Sequence, residues 1–206
     1  MKAVFLDRDG TIIRELKKDL TETSQVRLYH KVSVALKILQ QNGYKLIIIT
    51  NQSLIARGLI QESKLNHIHG YLKKLLAKKR IKIDSIYYCP HHPEGIIKRY
   101  RKICNCRKPQ TGLLRKAMKD FNIEPSQSFF IGDSLRDMQA AKKAGIKFIL
   151  VLTGYGKKTL REIIKKVPVR NRPSVTSGQV AANLLKASQW IISQLPTSVR
   201  AVATQK

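Results

Sequence analysis

Cysteine is scarce in this chain of 206 residues. There are three, Cys89, Cys104 and Cys106, an odd number confined to one short segment. That excludes a disulfide framework and leaves a metal site or buried thiols. Long hydrophobic runs are also absent. The longest, such as Phe148 to Leu152, fall far short of the roughly 20 residues needed to span a bilayer. The start MKAVFLD reaches Asp7 too early for the apolar core of a signal peptide, so a cytoplasmic protein with no membrane partner is expected. Acidic residues are few as well: 13 against 40 Lys and Arg, a formal charge of +27. The surplus is spread out, with 30 basic and 12 acidic residues over 1–155 and 10 and 1 over 156–206, so it does not form a detachable basic tail. Solvated Lys-rich faces account for such a distribution. Aromatics make up 6%, and Tyr100 within KRYRK is the one candidate for stacking on single-stranded bases, so no specific nucleic-acid partner is expected.

What is present is a hydrophobic content of 43%, enough for one sizeable core. Ala3 to Leu6 read as a buried strand that delivers Asp7 at its carboxyl end. Val34, Leu36, Ile38 and Leu39, closed by Asn42 and Gly43, predict a helix with a glycine stop. Leu46 to Ile49 predict a strand ending at Thr50 and Asn51. Leu65, Ile68, Leu72, Leu75 and Leu76 mark an amphipathic helix, and Ser85 to Tyr88 a strand leading into Cys89. After a long loop, a helix capped by Thr111, a strand over Phe129 to Ile131, a helix over Leu135 to Ala144 and a strand over Phe148 to Leu152 complete the alternation. Alternating strands and helices imply an α/β fold, a doubly wound parallel sheet with helices on both faces. In such folds ligands bind at the carboxyl ends of strands, where Asp7, Thr50, Asn51, Cys89 and Asp133 would gather. Residues 1–155 read as the core. Residues 156–206 read as an addition: a Lys-rich segment, a linker over 168–178 and a last helix carrying Val180, Leu184, Leu185, Ile191, Ile192 and Leu195, packed on the core. The final ten residues are expected to fray.

Asp7-Arg8-Asp9-Gly10-Thr11 places two carboxylates at the end of the first strand. One can act as nucleophile and the other as acid. A carboxylate facing a phosphate meets repulsion of roughly 4 kcal/mol per charge pair at 4 Å and an effective dielectric of 20, which calls for Mg²⁺ between them. Asp133 and Asp137 in GDSLRD stand four apart at a helix start, Asp133 able to ligate the same ion and Asp137 to orient it from behind. Thr50 and Asn51 offer a hydroxyl and an amide to phosphate oxygens, and Arg107 and Lys108 add cations. Cys89, Cys104 and Cys106 with one imidazole, His91 or His92, make a donor set for a closed tetrahedral Zn²⁺ site.

The ordered set FLDRDGT, ITNQS, RKP and GDSLRD over residues 5–137 resembles the haloacid dehalogenase (HAD) superfamily of aspartate-nucleophile phosphatases. YCPHHP followed by CNCRKP is similar to its small capless branch, which includes heptose-bisphosphate and histidinol-phosphate phosphatases. The resemblance implies a Rossmann-like fold without a separate cap domain and with a zinc-held loop at 89–109. It implies Asp7 as nucleophile and Asp9 as general acid and base; Asp7, Asp9 and Asp133 around Mg²⁺, with Asp137 behind them; Thr50, Asn51, Gln52, Ser53, Arg107 and Lys108 on the substrate; and Cys89, His91, Cys104 and Cys106 on Zn²⁺. The implied substrate is a small phosphorylated sugar. The leading expectation is the 7-phosphate of a heptose 1,7-bisphosphate on the way to nucleotide-activated heptose for lipopolysaccharide, handled by a monomeric enzyme. Histidinol phosphate is one alternative. A polynucleotide 3′-phosphatase and a zinc-stabilised nucleic-acid-binding protein are the others. The chain departs from the pattern in two places: RELKKDLTETSQVRLYHKV lacks the Gly-Tyr and Pro-Gly pairs of relatives, and Ser134 stands where a Lys or Arg is common. Lys98, Arg99, Arg101 and Lys102 are candidates to compensate.

Overall fold

The computed structural model describes residues 1–15, 19–166 and 178–196. The expected linker, apart from Gly178, and the ten residues expected to fray lie outside the described residues. Strands and helices alternate without a break: β1 Ala3–Leu6, α1 Val32–Gln41, β2 Lys45–Asn51, α2 Glu62–Ala77, β3 Ser85–Cys89, α3 Gly112–Asp120, β4 Phe129–Gly132, α4 Leu135–Lys143, β5 Lys147–Val151, α5 Gly156–Lys166, β6 Val180–Ala181 and α6 Leu184–Ser193. All neighbouring strands are parallel, in the order β3-β2-β1-β4-β5-β6.

The central strand shows why the sheet must be covered on both sides. All four residues of β1 are fully buried, Val4 and Leu6 in one apolar cluster and Ala3 and Phe5 in the other. A two-residue side-chain period therefore feeds two cores at once, as parallel sheets require. The first core takes α1, α2 and α6 through residues such as Leu36, Ile68 and Ile191; the second takes α3 and α4 through Leu114, Ala117 and Ala140. The chain moves outward from β1 to β3 with helices on one face, then returns through β4 and β5 with helices on the other. That is the arrangement produced when every crossover has the same hand.

Two expectations for the C-terminal part are corrected. Val180 is in β6, paired with Leu150, and not on the last helix. The Lys-rich segment after Gly156 is helix α5, whose Ile163 packs with Leu150 and Val180 and beside Leu135 and Met138 of α4. Thr111 flanks α3 without a side-chain capping bond. Among the described residues no helix is long and apolar enough to cross a membrane.

The sheet order reverses between β1 and β4, from which the chain runs on toward opposite edges of the sheet. Their diverging loops open a crevice at the carboxyl ends, the place where open α/β sheets bind ligands.

Candidate active site at the ends of β1 and β4

Asp7 leaves β1 with its backbone N–H still donating to Ile131 O on β4, 3.0 Å away. Its Oδ1 accepts from Arg8 N at 2.8 Å and from Lys108 Nζ at 2.9 Å, and no described residue engages Oδ2. Lys108 is 3% exposed, and its ammonium also forms an ion pair with Asp137 Oδ1 at 2.6 Å and donates to Ile49 O at 2.8 Å. Two carboxylates and a carbonyl thus surround the ammonium. Burial works against its charge, but Asp137 and Asp7 more than offset this and hold its pKa above the ordinary lysine value.

Carboxylate oxygens of Asp7, Asp133 and Asp137 lie within 4.8 Å of one another. Burial, with the neighbouring negative charges, pushes Asp7 up to about 7 and Asp133 up to about 8. Two carboxyls driven to take protons near neutral pH, with only one lysine among three acids, fit a divalent cation with oxygen preference. Asp133 is braced by the α5 side of the site: Tyr155 N–H donates to its Oδ2 at 2.7 Å and Thr159 Oγ1 to its carbonyl at 2.8 Å. Gly10 and Gly154, both at positive φ, close over it. A Cβ on either would come within 2.0 Å and 2.1 Å of Asp133 Oδ2.

Asp137 is the third residue of α4, in a reciprocal cap with Ser134: its Oδ2 accepts from Ser134 N at 3.1 Å and from Ser134 Oγ at 2.6 Å. The Ser134-x-x-Asp137 spacing is a legible capping signature. It accounts for the serine at this position and leaves the other Asp137 oxygen for Lys108.

The Asp9 carboxylate is held elsewhere. It accepts from Arg8 Nη2 at 2.8 Å and from Gln52 Nε2 at 3.0 Å, and so stands outside the three-carboxylate group expected to include it. Gln52 is bound into the same network through Thr50 Oγ1 at 2.8 Å. Asn51 clamps the backbone of Lys108 from both sides, accepting from its N–H at 3.0 Å and donating to its carbonyl at 3.1 Å. These side chains border the crevice while their polar atoms position the acids and the lysine.

The crevice has a volume of about 550 Å³, within the range that encloses small ligands. Asp7, Asp9, Thr50, Asn51, Gln52, Ser53, Lys108 and Asp133 border it. Asp137 is fully buried. Arg107 is not among its lining residues; its Nη1 donates to His91 O at 3.0 Å, and burial, with Arg136 nearby, lowers its pKa. Reading the sequence did not identify Arg14, Glu15, Asp19, Arg57, Arg136 and Tyr155 on the outer wall. Apart from Arg136, which lies within GDSLRD on α4, they stand in no motif, and their convergence comes from segments meeting across the crevice.

A second cluster lies at the end of β3. Cys89 Sγ is 2.9 Å from Cys106 Sγ and 3.5 Å from Cys104 Sγ, and His91 Nδ1 is 3.2 Å from Cys106 Sγ. His91 joins the thiols, while His92 Nδ1 accepts from Glu94 N at 3.2 Å. Hydrogen bonding from Cys89 pulls the Cys106 thiol down to about 5, and the same bond pushes Cys89 up. Three sulfurs and one nitrogen converging in this way fit a closed tetrahedral Zn²⁺ site.

A model of HAD-hydrolase-like proteins matches residues 105–178. The D-glycero-beta-D-manno-heptose-1,7-bisphosphate 7-phosphatase of Photorhabdus laumondii is 38% identical over 201 residues, 97% of this chain and 96% of the relative. The D-glycero-D-manno-heptose-1,7-bisphosphate 7-phosphatase of Chlorobaculum tepidum is 34% identical over 202 residues, 96% of this chain and 97% of the relative. Among solved structures, the D,D-heptose 1,7-bisphosphate phosphatase of B. bronchiseptica, complexed with magnesium and phosphate, superposes with a TM-score of 0.80 at 31% identity, covering 95% of this chain and 100% of that one.

Proposed function

The chain belongs to the heptose-1,7-bisphosphate 7-phosphatases of the HAD-like hydrolases, and on that premise we propose that it removes the 7-phosphate of D-glycero-D-manno-heptose 1,7-bisphosphate through an aspartyl-phosphate on Asp7. One observation carries the reading: at the floor of the crevice Asp7 has Oδ1 fixed by Arg8 and Lys108 and Oδ2 unengaged. Oδ2 attacks phosphorus, so the Asp7–phosphorus bond forms as the bond from phosphorus to the sugar oxygen breaks. Asp9 gives the departing alkoxide its proton and then takes one from the water that hydrolyses the aspartyl-phosphate. Lys108 keeps Oδ1 in place throughout and offsets the charge that gathers at the reacting group.

Mg²⁺ fits among Asp7, Asp133 and Asp137, where it would neutralise phosphate charge and allow the carboxylate to approach. Zn²⁺ on Cys89, His91, Cys104 and Cys106 would hold the 89–109 loop and so the backbone of Arg107 and Lys108, with no part in the chemistry. Thr50, Asn51, Gln52 and Ser53 line the approach to the phosphate. Arg107, on the zinc loop, serves the far end of the bisphosphate. The enzyme works as a monomer on a small phosphorylated sugar.

The test compares kcat/KM, near physiological salt, for the heptose bisphosphate, histidinol phosphate, fructose 1,6-bisphosphate and a 3′-phosphorylated oligonucleotide. The heptose bisphosphate is expected to lead each by more than about tenfold, equivalent to about 1.4 kcal/mol of transition-state preference. A lead for any other substrate overturns the assignment.

A further inference from the structure

Arg8 lies between the two aspartates in sequence, yet it is 1% exposed. A buried guanidinium is expensive unless its protons are satisfied. Here they are satisfied in a directional way. Nε and Nη2 face Asp9, at 3.1 Å to Oδ1 and 2.8 Å to Oδ2. Nη2 also donates to Gln52 Oε1 at 2.9 Å. On the other edge, Nη1 lies 3.0 Å from Nε2 of His69, on α2 and 6% exposed. His69 is four residues after Leu65 and three before Leu72, within the apolar stripe of its helix, where an imidazole gives up packing for a polar contact. Its ring rests against Tyr88 of β3, with centroids 5.6 Å apart. Burial and the Arg8 charge push His69 down to about 3, so at neutral pH it is uncharged and its Nε2 can accept the arginine proton.

From this geometry we infer that Arg8 and His69 form a positioning pair for the general acid: His69 fixes one edge of the guanidinium so that the other edge, with Gln52, holds the Asp9 carboxylate at the leaving-group side of the crevice. Arg8 borders the crevice and His69 does not, so His69 reaches the reaction through the Arg8 guanidinium and the Asp9 carboxylate that it holds. The inference rests on the proposed role of Asp9, and its test separates the two. Proton donation matters most when the leaving group is basic, as a sugar alkoxide is, and little when it is a nitrophenolate.

The experiment measures kcat and KM for a heptose bisphosphate and for p-nitrophenyl phosphate in the wild type, Asp9→Asn, His69→Leu and His69→Gln. His69→Leu removes the acceptor; His69→Gln retains one. If Asp9 is the acid, Asp9→Asn loses far more on the sugar phosphate than on the aryl phosphate; equal losses there overturn the role of Asp9. If the pair positions Asp9, His69→Leu shows the same selective loss at about tenfold or more in kcat, with KM unchanged, and His69→Gln restores most of it. Equal losses on both substrates in His69→Leu, or failure of Gln to restore beyond Leu while Asp9→Asn stays selective, overturn the pair and leave the acid in place. Should His69→Leu not fold, the conservative Arg8→Lys is measured instead. It keeps the charge but cannot span Asp9 and His69, and the same selective loss is expected; a loss equal on both substrates overturns the pair.

Discussion

Lys108 sits where three demands meet. It has to fix the nucleophile, balance Asp137 and remain charged while 3% exposed, and its ammonium pairs with Asp7 and Asp137 and donates to the carbonyl of Ile49. Removing it leaves Asp137, which is fully buried, without a counter-charge. Lys108→Met is therefore expected to abolish turnover and to cost about 3–5 kcal/mol in urea unfolding. Adding Asp137→Asn should return most of that stability and none of the activity, since the second change removes the stranded charge but not the need for a cation at Asp7. A single variant of wild-type stability would show that the pair is not a counted ionic contact. Lys108 was legible from the RKP motif, but the direction of its side chain was not. Nor were the bonds by which Asn51 holds Lys108 and Gln52 holds Asp9, because a motif names residue types and leaves open which neighbour takes each hydrogen bond.

At the level of elements, alternation of apolar runs and glycine stops was enough to place β1 to β5, α1 to α4 and the crevice at their carboxyl ends. It failed after Gly156. Helix α5 has a strongly charged outer face, so its few core residues, Ile163 among them, are outnumbered by lysines; β6 is two residues long, too short to show any period. Both matter to the site, since the turn into α5 supplies Tyr155 and Thr159 to Asp133. The 89–109 loop is the opposite case: its cluster of four donor residues was readable although it has little regular structure. On the proposed reading, a bound Zn²⁺ would carry Arg107 and Lys108 at a fixed distance from β3. Cys104→Ser is expected to lose zinc and to lower the melting temperature, with substrate affinity falling as the loop loosens. Metal analysis, thermal melting and KM check this; a zinc-free variant that keeps both its melting temperature and KM would show that the loop does not depend on the ion.

Across the whole molecule, a chain of charge +27 sets five of its 13 acidic residues around one crevice. A basic surface favours the approach of anionic ligands, and on the proposed reading the buried carboxylates call for a cation between them. Asp7 and Asp133, raised in the folded state to about 7 and about 8, keep protons that the unfolded chain has already released. Magnesium-free protein should therefore lose stability as pH rises through that range, because the unfolded state binds fewer protons. Mg²⁺ competes with those protons, so the rise in melting temperature on adding it to magnesium-free, zinc-loaded protein should be larger at pH 8 than at pH 6.5. Groups away from the ion, His69 among them, contribute equally with and without Mg²⁺ and cancel in the difference. A gain independent of pH would argue against Mg²⁺ at these carboxylates.

The most direct test of the account is to trap the covalent intermediate. Heptose bisphosphate labelled at the 7-phosphate is mixed with excess enzyme and quenched with acid within one turnover; one portion is digested and read for label, and in a second portion the acyl phosphate is reduced with borohydride, which releases the phosphate and leaves homoserine, before digestion and mass spectrometry. The account predicts label on the peptide carrying Asp7 and a reduced side chain at position 7, with neither in Asp7→Asn. Turnover of the 7-phosphate with label on another residue, or with no covalent label while the quench traps a control acyl phosphate, would contradict it.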